Sequence, residues 1–352
     1  MCRLAGERRA SMRTSKRWPI AGAAALLMSY PAVSNATENG QTHVDLAFID
    51  QICGYPLPSG FYLRNDVNYI YSNQLNDRNG NPTSLNAGLL GKYPLKYYQS
   101  TTADVVTGLY VAPFKVPVID ATIGTGFYLP YAWSRAEAQD TIFGQTSGSG
   151  ETRRGFADMT IVPVFLQWAI PHTDLYVTLS PVEFTAPTGQ YNRNDPIGNS
   201  IGQNYWSYRP ALLVTYLNRY GQEISINYNM SFNSQNDATH YKSGNELSFT
   251  YLLQQHLSRS LAIGAEGYFY DQFTNDTQNG VVVNTVRSPN PLVPFDPLNE
   301  GPGDRGQAFA IGPAINYAPT AHTQLNFHYE HEVFAYDRRQ GEVFWLRGTL
   351  QF

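Results

Sequence analysis

From residue 60 onward the chain alternates apolar and polar residues with a period of two, in segments of roughly ten to fifteen residues. The side chains of a strand point to opposite faces in turn, so each segment describes a strand with one apolar and one polar wall. In the first segment Phe61, Leu63, Val67, Tyr69 and Tyr71 share one face, and Arg64, Asp66 and Asn68 the other. From Ile224 to Phe232 the alternation is unbroken, and the last segment puts Phe344, Leu346, Gly348, Leu350 and Phe352 on one side. We count about twelve such segments. They lie near 60–72, 97–112, 116–133, 155–169, 173–187, 205–218, 221–233, 243–255, 259–273, 307–318, 321–335 and 341–352. The connections alternate in length. Long ones cover 73–96, 134–154, 188–204, 234–242 and 274–306, and short ones fall between them, with 336–340 short where a long one is due. An up-and-down barrel gives this rhythm, with short periplasmic turns and long external loops. Such strands cannot leave backbone edges in lipid, so the sheet must close. The expected fold is therefore all-β, a transmembrane antiparallel up-and-down β-barrel of about twelve strands, in the bacterial outer membrane.

Composition agrees. Charged residues are 15% of the chain, well under the roughly 25% of soluble domains, which argues against a soluble β-sandwich. Aromatics are 14% and gather at segment ends, as at Tyr131 with Trp133, Tyr205 with Trp206, and Phe344 with Trp345. Rings at the headgroup level would form such girdles. Past residue 40 no apolar run approaches the ~18 residues of a spanning helix. Repeats of fixed period are absent, which argues against a propeller.

Residues 1–36 read as a signal peptide: Arg13, Lys16 and Arg17 precede a short apolar core from Ile20 to Met28, and Ser34-Asn35-Ala36 fits a cleavage site near Ala36. Their removal takes away six basic residues and one acidic one, leaving 18 Lys+Arg against 27 Asp+Glu. That balance argues against nucleic acid as a partner. Cys53 then stands alone as a structural thiol. Residues 37–59 do not alternate and form a leader that either occludes the lumen as a small plug or hangs in the periplasm, and 60–352 form the barrel.

With the apolar faces toward lipid, the opposite parity lines the lumen. It comprises Arg64, Asp66, Asp104, Asp158, Arg209, Glu223, Asn227, Asn229, Glu246, Glu266, Glu330 and Arg347. Arg or Lys at the lipid midplane would cost about 2–4 kcal/mol, which favours placing charges inside. These side chains either brace a narrow barrel as a network or select solutes along a path. Two segments are apolar on both faces: Val162, Val164, Leu166 and Trp168 share the parity of Asp158, and Leu175, Val177 and Leu179 oppose Val182 and Phe184. Either a bulge shifts the register or part of the lumen is apolar. No GxSxG, HExxH or CxxC motif is present, and no Ser and His can be matched across strands, so no enzyme, cofactor or metal is expected. His328 and His331 differ in parity and cannot share an ion on one face. Asn192-Arg193-Asn194-Asp195 and Asn275-Asp276 read as turns rather than calcium loops.

Several stretches resemble the outer-membrane "meta-pathway of phenol degradation" family. They are Pro58 to Asp66, Gly155-Phe156-Ala157-Asp158 with Pro163, Ala186 to Tyr191, Asn204-Tyr205-Trp206, Thr239 to Glu246, and Gly267 to Gln272. Their order and spacing span most of residues 58 to 352. The resemblance implies a porin-like barrel that admits small hydrophobic or aromatic compounds by passive diffusion. The rival is a structural or surface-interaction barrel with a sealed lumen. The insertion at 274–306 departs from the family and reads as an external lid. Outer-membrane lipid and the barrel assembly machinery are expected partners, the latter because Phe344, Leu350 and Phe352 look like a recognition strand.

Overall fold

The structure is a computed structural model that describes residues 38–352 except 45, 52, 87–90, 143–144, 196 and 288–294. Residues 1–36, expected to be a signal peptide, lie outside the described residues. Twelve strands make the wall, numbered here in chain order: β1 (Gly60–Leu75), β2 (Lys92–Val116), β3 (Ala121–Ile142), β4 (Met159–Ala169), β5 (Leu175–Ala186), β6 (Ala211–Leu217), β7 (Gln222–Asn233), β8 (Glu246–His256), β9 (Leu261–Gln272), β10 (Gln307–Thr320), β11 (Thr323–Tyr336) and β12 (Arg339–Gln351). Every strand pairs antiparallel with its neighbours in sequence, and β1 also pairs with β12 from Tyr62 opposite Gln351 to Leu75 opposite Arg339. The sheet therefore closes and has no edge to satisfy in lipid.

The period-two pattern is the cause of the wall's two faces. Phe61, Leu63, Val67 and Tyr69 stand outward on β1, as do Ile224 on β7, Leu325 and Phe327 on β11, and Phe344 and Leu346 on β12. Ser225, Asn227, Asn229 and Ser231 of β7 point inward and are buried. Connections at 117–120, 170–174, 218–221, 257–260 and 321–322 form the short-turn rim, where β1 begins and β12 ends.

Three features depart from the sequence reading. The stretch 134–154 is not a loop: β3 continues to Ile142 and a further strand, Gln145–Phe156, folds back along it. The alternation persists there, with Ala136 and Ala138 facing inward against Leu75, Tyr97, Ile197 and Leu298 to make a small core in the external cap. At 25 residues, β2 far exceeds the 9–11 a spanning strand needs, so its upper part rises above the membrane with this hairpin. The segment expected at 205–218 is broken: Ser207–Tyr208 and β6 are separated at Arg209 and Pro210. A similar break at Ala157 and Asp158 separates Gln145–Phe156 from β4.

The two doubly apolar segments contain register shifts, between Ile161 and Val164 and again between Val164 and Leu166 where β4 meets β5. Val162 and Phe165 consequently both point inward, although they differ in parity. Both readings hold at once: a bulge is present, and the lumen beside it is apolar.

Candidate functional site

The leader threads the lumen. Glu38 lies among the external loops, where its carboxylate accepts hydrogen bonds from Tyr191 (2.7 Å), Asn236 (2.7 Å) and Thr239 (2.9 Å). Near the other rim the Leu57 backbone N–H donates to Gln167 at 3.0 Å, and the Tyr62 hydroxyl to the Pro58 carbonyl at 2.6 Å. Between them Gly54 sits flat against the wall, since a Cβ would lie 2.5 Å from the Tyr176 carbonyl oxygen and 2.7 Å from the Thr215 nitrogen.

At mid-height a charge girdle grips this leader. Arg64 Nε donates to Asp66 at 2.9 Å and its Nη1 to Asp50 at 3.1 Å. Arg347 reaches the same Asp66, Asp50 at 2.5 Å and the Ile49 carbonyl at 2.7 Å. The Phe48 ring lies beneath both guanidinium groups, 4.2 Å from Arg64 and 4.8 Å from Arg347. Two wall arginines and one wall carboxylate thus hold an aromatic ring and a carboxylate from the leader, and the pairing balances two charges against two.

Other inward residues are dispersed along the lumen. Toward the short-turn rim Glu223 accepts from Gln254 at 2.7 Å and lies 2.6 Å from His256 Nε2. Toward the loops Glu246 accepts from Tyr270 (2.6 Å) and Asn233 (3.1 Å). Arg209, in the break before β6, donates to Thr160 at 3.2 Å and Thr185 at 3.3 Å. Asp158, in the break before β4, accepts from the backbone of Gly189 (2.7 Å) and Gln203 (2.6 Å), which pins the 187–206 connection. Asn227 donates to the Phe48 carbonyl at 2.9 Å. Glu266 and Glu330 are fully buried beside His328.

Asp104 is a correction. It pairs in register with Val67, which faces outward, and accepts from the outward Asn65 side chain at 2.5 Å. β2 carries few charges on either face, so Arg64 and Asp66 on β1 set the register and the two outer polar groups satisfy each other.

His43 was not singled out by the sequence. Its Nε2 is 3.0 Å from Asp158 and its Nδ1 is 2.6 Å from Ser207 Oγ. This Ser–His–Asp constellation arises through the leader, which is why matching strand against strand missed it. Ser207 is fully buried and donates to Asn233 at 2.7 Å, so these contacts tie the leader to the surrounding barrel.

Beside the leader's lower half a cavity of about 330 Å³ opens. Leu57, Tyr62, Leu109, Tyr128, Val162 and Phe165 line its apolar side, and Asp50, Arg64 and Gln167 its polar side. In the external cap the mean field is acidic. Burial holds the Asp276 and Glu300 carboxyls well above the usual carboxylate range, and burial with Asp304, Asp296 and Asp77 nearby lifts Asp337 to about 9.

A closed wall of amphipathic strands around an internal segment defines an outer-membrane-type β-barrel with an occupied lumen. The chain belongs to the family described as "Putative MetA-pathway of phenol degradation", whose model matches residues 72–348. The family that the sequence motifs resembled is therefore the family shown. Among solved structures it is similar to an outer membrane channel from Pseudomonas putida F1, at 16% identity and a TM-score of 0.63 over 87% of this chain and 100% of that one. The transport unit of the autotransporter AIDA-I from Escherichia coli gives 10% identity and a TM-score of 0.45 over 94% and 98% of the two chains. At 16% identity the likeness to the Pseudomonas putida channel is one of fold. No functionally curated sequence matches the chain.

Proposed function

We propose that this barrel is an outer-membrane channel for passive uptake of small hydrophobic or aromatic compounds. The observation that carries the reading is the cavity: about 330 Å³, with Leu109, Tyr128, Val162 and Phe165 facing the leader. An apolar cavity of roughly half that size already holds a benzene ring. Solute is captured among the external loops, moves along the lumen beside the leader, and leaves past the leader's lower half or through the wall. The solved channel from Pseudomonas putida supports the reading at the level of fold. Family membership, with its link to phenol degradation, supports the choice of solute class.

The test is equilibrium binding of a labelled monoaromatic to the detergent-solubilised barrel. Leu109→Trp fills the cavity and is expected to weaken binding about ten-fold or more while heat-modifiable migration shows an intact barrel. Equal binding by both proteins, or none by either, would overturn the role given to the cavity. A second reading, a sealed structural barrel, is favoured by one observation: the leader occupies the lumen along its length and the girdle clamps it. Under that reading neither protein binds the aromatic.

A further inference from the structure

The charges of the girdle cancel, and the buried carboxyl groups of Glu266 and Glu330 lie outside it. Arg64 and Arg347 match Asp50 and Asp66. Glu266 on β9 and Glu330 on β11 flank β10, and both are 0% exposed, as is His328. The backbone explains the meeting. Glu266 pairs with Gly312 of β10, and Ala314 of β10 pairs with His328. A Cβ at Gly312 would lie 1.6 Å from the Tyr329 carbonyl oxygen and 3.1 Å from the Glu330 Cα, so glycine lets β10 and β11 approach closely at this point. His328 and Glu330 are two residues apart on one strand and face the same way.

One potential ligand atom from each of these three residues lies within 4.8 Å of the other two. His328 Nδ1 is 2.8 Å from Glu266 Oε2, yet the pair is not aligned as a hydrogen bond. His328 Nε2 has no hydrogen-bond partner among the described residues, and the Glu266 and Glu330 carboxyl groups face each other as a side-chain pair. Each orphaned buried polar atom costs about 1–3 kcal/mol, and more when charged. The ligand atoms of this trio converge on one point in the lumen wall.

We propose that Glu266, His328 and Glu330 bind a divalent first-row transition ion, with zinc the natural probe. One imidazole nitrogen and two carboxylate oxygens make a mixed donor set that suits zinc better than calcium or magnesium, and water completes the shell. The ion neutralises the two carboxylates that the girdle does not. Ile49 of the leader packs with Leu252 and Ala314 over the same wall, so the leader roofs the site. Arg347 is the neighbouring cation, with Asp50 and Asp66 as its counter-ions, and its Nη2 lacks a partner and is free to orient a ligating carboxylate. The ion therefore enters before the leader seats, and it braces β9 to β11 beneath the plug.

The test measures zinc in the full barrel, purified in detergent, stripped with chelator while unfolded, and refolded with zinc. About one equivalent per chain after gel filtration is expected. His328→Gln and Glu330→Gln should retain less than about a tenth of that with the barrel folded by heat-modifiable migration. A folded wild-type barrel without zinc overturns the site, as does equal zinc in the variants. If a variant does not fold, cobalt-loaded wild type decides. Visible d–d bands with nitrogen and oxygen ligation support the site, and their absence overturns it.

Discussion

Arg347 has the most to lose by substitution. Its guanidinium reaches a wall carboxylate, a leader carboxylate and a leader carbonyl at once, at 1% exposure. Arg347→Ala would strand Asp66 and Asp50 without one of their counter-ions, and breaking a buried pair costs about 3–5 kcal/mol. The expected outcome is a lower melting temperature and a protease-sensitive leader, read by heat-modifiable migration and limited digestion. Asp337 predicts the opposite sign. Its folded pKa is about 9, far above an ordinary aspartate, so its contribution to stability falls as pH rises from about 4 toward 9. Asp337→Asn should slow hydrogen exchange in the external cap at pH 8, by about 1 kcal/mol or more, and change little at pH 4. Asparagine also tolerates the positive φ of 49° at this turn. At this scale parity was informative. Arg64, Asp66, Glu223, Glu246, Glu266, Glu330 and Arg347 point inward because lipid excludes charge, which the alternation alone reveals. Asp104 could not be placed that way, because its outward partner Asn65 is a matter of register. His328 was legible as sharing a face with Glu330, but Glu266 joins them only across β10.

The leader and the bulged strands carry the next scale. Residues 37–59 show no periodicity, so nothing in their pattern chooses between lumen and periplasm. The choice is made by Phe48, Asp50 and His43, whose partners Arg64, Arg347 and Asp158 lie far apart along the chain. Gly54 marks where the leader must lie flat, and there Gly54→Val has no room against backbone atoms of Tyr176 and Thr215. That variant should unseat the leader's lower half and raise single-channel conductance several-fold in planar bilayers, while β1 and β12 keep the barrel closed. Unchanged conductance would mean the leader does not limit the path. The doubly apolar faces of β4 and β5 were visible as an ambiguity. Only the register shifts at Ile161–Val164 and Val164–Leu166 show how Val162 and Phe165 come to line the same cavity. The hairpin continuing β3 went unread because its polar alternation, Arg135 and Glu137 against Ala136 and Ala138, resembles loop composition.

At the scale of the whole molecule the wall was written plainly in the sequence, because lipid on one side and polar lumen on the other repeat a single constraint on every strand. The lumen's contents were not, because a plug is held by tertiary partners rather than by a period. In the proposed channel the girdle holds the leader, and the apolar cavity beside it is where hydrophobic solutes would be favoured over polar ones. The most direct test is flux into proteoliposomes, comparing a labelled monoaromatic with a sugar of similar mass. Faster entry of the aromatic than in protein-free liposomes, with little sugar flux, is the predicted result. No acceleration of either solute through a barrel shown to be folded would contradict it and leave the sealed structural barrel in its place.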